Sequence, residues 1–212
     1  MTIDLTLLLQ VAGVMHLGGG MEHRSGMAIP KSPLVLMTLV LAGALTISLM
    51  AQAGPFKGHA DLTGFQENPT LSSSATGTAD VEISKDGNSV SYTLSYSGFG
   101  TNIRFAHIHL GRPAINGSIM VFLCTNETAP AGVPPPPACP QNGGTVSGTL
   151  TASDVLATTN PAQGVAAGEF DEFVQALRAE AAYANVHTAA FGAGEIRGQV
   201  TFNRSDSVND DK

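Results

Sequence analysis

Apolar and polar residues alternate along most of the chain after residue 55. Over 75–84, Ala75, Gly77, Ala79, Val81 and Ile83 point one way, and Thr76, Thr78, Asp80, Glu82 and Ser84 the other. A period of two places successive side chains on opposite faces of a strand, so the segment reads as a half-buried strand. Lys85-Asp86-Gly87-Asn88 supplies a hairpin turn, and alternation resumes over 89–97 with Val90, Tyr92, Leu94 and Tyr96 inward. Similar patterns predict strands over 56–63, 103–109, 118–123, 145–150, 183–187 and 195–202. Two segments break the period. Thr151 and Asp154 have capping-box spacing and predict a turn or two of helix through Leu156. Over 169–181, Phe170, Phe173, Val174 and Leu177 recur at helical spacing behind an acidic first turn. The set predicts an all-β domain, a two-sheet sandwich with Greek-key connections and one or two short helices.

The pattern fails over 34–50, a run with no charge. Arg24 and Lys31 precede it and Ala51-Gln52-Ala53 follows it. Basic flank, apolar core and small-x-small triplet are the parts of a secretory signal peptide, with cleavage after Ala53. An uncleaved anchor is the alternative, although the run is short for a span. Both readings carry the rest of the chain out of the cytoplasm, to a secreted, periplasmic or cell-surface location. Met21 and Met27 offer alternative starts to Met1, and Met27 gives the most compact signal. The expected organisation is an extension and signal over 1–53, one domain over 54–203, and a polar, disordered tail over 204–212.

Composition narrows the function. The formal net charge is −7, and an acidic surface repels phosphate backbones, which argues against a nucleic-acid partner. There is no Trp, so an aromatic platform for sugars or single strands is poorly supported. The expected partner is an extracellular protein or ligand, with membrane contact only through the signal or anchor segment. Cys124 and Cys139 are the two cysteines of the chain and bracket a Pro-rich stretch. In an oxidising compartment such a pair forms a disulfide, whose loop closure is worth about 3 kcal/mol.

Several segments share an order and spacing with a known family. They are Leu62-Thr63-Gly64-Phe65-Gln66-Glu67-Asn68-Pro69, Ala75-Thr76-Gly77-Thr78-Ala79 and Ala106-His107-Ile108-His109-Leu110-Gly111. Gly148-Thr149-Leu150-Thr151, Ala182-Tyr183-Ala184-Asn185-Val186-His187-Thr188 and Gly194-Glu195-Ile196-Arg197-Gly198-Gln199-Val200 follow. Over about 56–202 the chain resembles the CHRD domain, named after chordin, in its secreted, bacterial-type single-domain form. The resemblance implies a β-sandwich of immunoglobulin-like or copper–zinc superoxide dismutase-like type. It implies little about molecular function.

The sharpest candidate chemistry is histidine. His107 and His109 are two apart on a predicted strand, so both rings leave one face about 7 Å apart. His187 ends another predicted strand and could add a third ligand, and three histidines plus water would suit Zn²⁺ or Cu²⁺. Asn185, Glu195 and Arg197 are candidates to support these rings or anchor nearby loops. The competing reading is structural: Ile103, Phe105, His107 and His109 share a face under regular alternation, and the rings could be bonded to backbone carbonyls or to Asn185. The dismutase comparison is partial, because 110–150 contains no His and only Glu127 as a carboxylate. No nucleophile–base order, phosphate cradle or paired-carboxylate motif is present, so the sequence assigns no catalytic residue. It favours a non-enzymatic binding or structural module, with a metal-binding, redox-active protein as the alternative.

Overall fold

Strand alternation is realised almost as read, because each apolar row finds one shared interior. The computed structural model describes residues 56–202. The segment 34–50, the cleavage pattern at Ala51 and Ala53, and the tail 204–212 lie outside the described residues. β1 (Phe56–Thr63), β2 (Thr76–Ile83) and β3 (Val90–Ser97) are joined by antiparallel ladders in full register, Phe56 opposite Ile83 and Val81 opposite Tyr92. The β2–β3 hairpin is tied by Asp86, whose carboxylate accepts from Ser84 Oγ at 2.6 Å and from the Asn88 amide at 3.2 Å. Gly87 takes φ +72° in that turn, a conformation that glycine adopts without steric cost.

β4 (Ile103–Leu110), β5 (Ile119–Thr125), β6 (Gly144–Leu150), β7 (Ala182–Thr188), β8 (Ile196–Gln199) and β9 (Thr201–Phe202) complete the strands. Hydrogen bonding runs in the order β5-β4-β7-β8-β1-β2-β3-β6, with β9 also on β1, and every pairing is antiparallel. One continuous sheet therefore carries all nine strands of the described residues. Its β8–β1 joint is thin, with the single register pair Thr63–Arg197. The ends of the sheet come together: the Tyr92 hydroxyl on β3 donates to the Leu123 carbonyl on β5 at 2.6 Å. The sheet thus curls almost into a barrel around Leu62, Ile83, Leu94, Ile108, Leu123, Val186 and Ile196, all buried. A curled sheet with one face inward leaves the outer face for polar side chains, unless loops cover it.

The segment read as one strand over 195–202 is two, β8 and β9, divided at the buried Val200. The capping box forms, with the Thr151 amide donating to Asp154 Oδ2 at 2.8 Å, but it opens only a single 3-10 turn, Ala152–Asp154. The longer helical segment is α1 (Phe170–Arg178), which buries Phe170, Phe173, Val174 and Leu177. Glu180, just beyond it, takes φ +51° and closes the helix. Among the described residues no helix is long and apolar enough to cross a membrane.

Cys124 and Cys139 form a disulfide with Cα atoms 5.0 Å apart. Asn126 brackets it, donating to the Cys139 carbonyl at 3.0 Å and accepting from the Cys139 amide at 3.1 Å. The proline-rich loop is thereby held at both ends against the sheet.

Candidate metal centre

Register decides which side chains meet. On the β4–β7 ladder Phe105 lies opposite His187, His107 opposite Asn185, and His109 opposite Tyr183. Residues directly opposed across an antiparallel pair share a face. The next ladder sets Asn185 opposite Arg197 and Tyr183 opposite Gln199. These side chains form one outer face, while Ala106, Ile108, Ala184 and Val186, the residues between them, enter the core.

Regular alternation would put Ile103 on the histidine face. The structure puts it in the core cluster instead. A register irregularity between Ile103 and Phe105 is the cause, since one displaced residue reverses the phase of a strand. The histidines therefore belong to a separate cluster on the sheet's outer surface.

That surface is covered, not wet. His107, His109 and His187 retain 1%, 7% and 5% of their exposure. One nitrogen from each ring lies within 4.8 Å of the others. Ring centroids are 5.3 Å apart for His107–His109, 5.0 Å for His107–His187 and 5.8 Å for His109–His187. Phe105 and Phe122 wall the cluster at 4.7 Å and 4.1 Å from the His107 ring. Tyr183 stacks on His109 at 4.8 Å and 3°.

Two rings are oriented by backbone. His109 Nδ1 lies 2.9 Å from the Gly117 carbonyl and His187 Nδ1 lies 3.1 Å from the Gly192 carbonyl. A carbonyl can only accept, so each Nδ1 carries the proton and each Nε2 is left with a lone pair. Neither Nε2 has a partner, and neither nitrogen of His107 has one. Burial holds all three rings neutral: it drives His109 and His187 down to about 4, against the opposing pull of their carbonyl bonds, and His107 well below the ordinary 6.5.

The candidate supporting residues sit around this cluster but do not bond to it. Asn185 spends its amide on Glu67 Oε1 at 2.6 Å and the Ile196 carbonyl at 2.8 Å. Glu195 accepts from Ser73 Oγ at 2.8 Å and Thr188 Oγ1 at 2.6 Å, joining the loop after β1 to that after β7. Arg197 does not pair with Glu195. Its guanidinium packs 3.4 Å from the centroid of the Tyr183 ring and donates to the Arg112 carbonyl at 3.0 Å and Asn116 Oδ1 at 3.3 Å. Burial pushes its pKa down. Burial also pushes the Glu67 carboxyl up, against the Asn185 bond and the charge of Arg197. His59 stands apart on β1, exposed and 2.7 Å from Asp80.

A family model described as the CHRD domain matches residues 59–200. The chain belongs to the CHRD domain family. No curated protein and no solved structure matches it significantly. The three histidines, Tyr183, Arg197 and the two carbonyls that orient the rings, at Gly117 and Gly192, fall inside the CHRD match. Sequence reading missed Gly117, Gly192, Phe122 and Glu67. Backbone carbonyls leave no side-chain signature, and Glu67 reaches Asn185 only through the loop fold. Tyr183 was accessible in principle, since pairing 103–109 antiparallel to 183–187 sets it against His109.

Proposed function

We propose that this CHRD domain is an exported, non-enzymatic binding module whose ligand is a copper or zinc ion held by His107, His109 and His187. One observation carries the reading. Among the described residues five buried side-chain polar atoms lack a hydrogen-bond partner, and four are nitrogens of these imidazoles. Buried polar atoms are nearly always satisfied, so orphans converging on one point call for a ligand. Neutral imidazole is the form that binds metal, and burial keeps these rings neutral. The carbonyl partners of His109 and His187 supply the outer hydrogen bond that fixes a metal-ligating ring.

A purely structural role explains the carbonyl bonds of His109 and His187. It does not explain why His107 is buried with no partner at all. The carboxylate between residues 110 and 150, Glu127, is tied to Arg104 and supplies no acid or base to the cluster. The curled sheet supports a sandwich of two halves, β1-β2-β3-β6 and β5-β4-β7-β8, with Greek-key crossings between them. The centre lies on the outer side of the second half. Export is supported by the disulfide, the apolar run over 34–50 and the triplet ending at Ala53. Mass spectrometry of the exported protein should find Gly54 as its first residue; an intact 34–50 segment recovered only from membranes would establish an anchor.

Calorimetric titration of the purified protein with zinc and copper salts tests the metal reading. One ion per chain at micromolar concentration or below is expected, and His107→Ala should abolish it. Absence of binding, or binding indifferent to His107→Ala, rejects the site.

A further inference from the structure

We propose that the centre selects monovalent copper over divalent ions, an inference that rests on the metal reading above. The donors are three neutral imidazoles with no anion among them. No Asp, Glu or Cys joins the three-histidine cluster among the described residues. The neighbouring carboxylates are committed elsewhere, Glu67 to Asn185 and Glu195 to Ser73 and Thr188. Both cysteines are in the disulfide. No anionic ligand would therefore meet the charge of a bound ion inside this buried, aromatic-walled space.

The cost of moving an ion out of water rises with the square of its charge, so a divalent ion loses roughly four times what a monovalent ion of similar size loses. The fixed charges act in the same direction. Arg197 packs on Tyr183, which stacks on His109, and it has no carboxylate within ion-pair distance among the described residues. Arg104 lies 4.9 Å from the centroid of Phe105, whose ring packs against His107 and His187. Arg104 is paired with Glu127, and Glu67 offsets part of the Arg197 charge without pairing with it, so both guanidiniums act at reduced strength. Their repulsion doubles with the ion's charge.

Coordination number agrees. Zinc takes a fourth ligand, and divalent copper prefers a tetragonal set. Monovalent copper is satisfied by three. Donor softness opposes this choice only weakly, since imidazole serves both copper and zinc.

The test is competition on the purified protein. Under anaerobic reducing conditions Cu(I) is titrated against bicinchoninate, a chromophoric Cu(I) chelator, and Zn(II) is titrated in parallel against a zinc-buffering chelator. Cu(I) should bind one per chain and about tenfold or more tighter than Zn(II), the direction set by the charge argument. Zinc binding equal to or tighter than Cu(I), abolished by His107→Ala, would overturn the selectivity and leave the metal centre standing. Failure of both ions to bind would overturn the metal reading itself. A carboxylate beside the cluster, Phe122→Asp, should narrow the Cu(I)-to-Zn(II) ratio by about tenfold or more. An unchanged ratio in the folded variant would also overturn the proposal.

Discussion

The Nδ1 of His109 lies 2.9 Å from the carbonyl oxygen of Gly117, eight residues further along the chain, where β4 has turned through a loop toward β5. This single bond decides the ring's tautomer and aims Nε2 into the cluster. A separate close approach explains why position 117 is glycine. A Cβ there would collide with the Leu110 carbonyl oxygen, a backbone atom that cannot step aside.

Gly117→Ala is therefore expected to move the loop, release His109 and destabilise the fold by about 2 kcal/mol or more. Urea unfolding of the metal-free protein measures this, and metal affinity should fall in parallel. An unchanged midpoint with full affinity would contradict the anchoring role.

Acid should weaken the metal-free protein between pH 6.5 and 4. His109 and His187 titrate near 4 when folded and near 6.5 when unfolded, so in that window the unfolded chain holds more protons. Stability then rises with pH: it is fully present above about 6.5 and is lost as pH falls through about 4. Each ring contributes on the order of 3 kcal/mol across the interval. A melting temperature flat over this range would show that the rings are not held neutral by burial.

Removing the disulfide, as Cys124→Ser with Cys139→Ser, should cost about 3 kcal/mol, the value for closing a loop of this length. The separation is 15 residues, and Asn126 already fastens both ends. The loss should leave metal affinity within a factor of about three, because Cys124 lies opposite Ala106 on the core side of the sheet, the face turned away from the histidines. A chemical denaturation series with and without reductant reads the first effect.

The strands were legible because their alternation is regular and every inward row serves one core. Curling of the sheet was not, since a period of two says which face is buried but not how strands close on one another. The three histidines were visible as residue types at a suggestive spacing. Their environment was not, because it depends on the irregularity after Ile103 and on loops that bring Gly117 and Gly192 over the outer face. Asn185 lies where the pattern places it, beside the rings, yet it bonds to Glu67, 118 residues away, rather than to a histidine.

His107 offers the sharpest separation of function from stability. Both its ring nitrogens are buried without partners, so the metal-free fold carries the cost of desolvating them. Its neighbours are Phe105 and Phe122, which an aliphatic side chain of similar volume can satisfy. His107→Leu should therefore abolish metal binding and at the same time stabilise the metal-free protein, by about 1 kcal/mol or more. His109→Leu should not, because it would leave the Gly117 carbonyl without its donor. The two variants are compared by thermal unfolding in the presence of a chelator. A histidine retained for packing alone would give the reverse result at position 107, a loss of stability on substitution, and that result would remove the main support for a ligand at this centre.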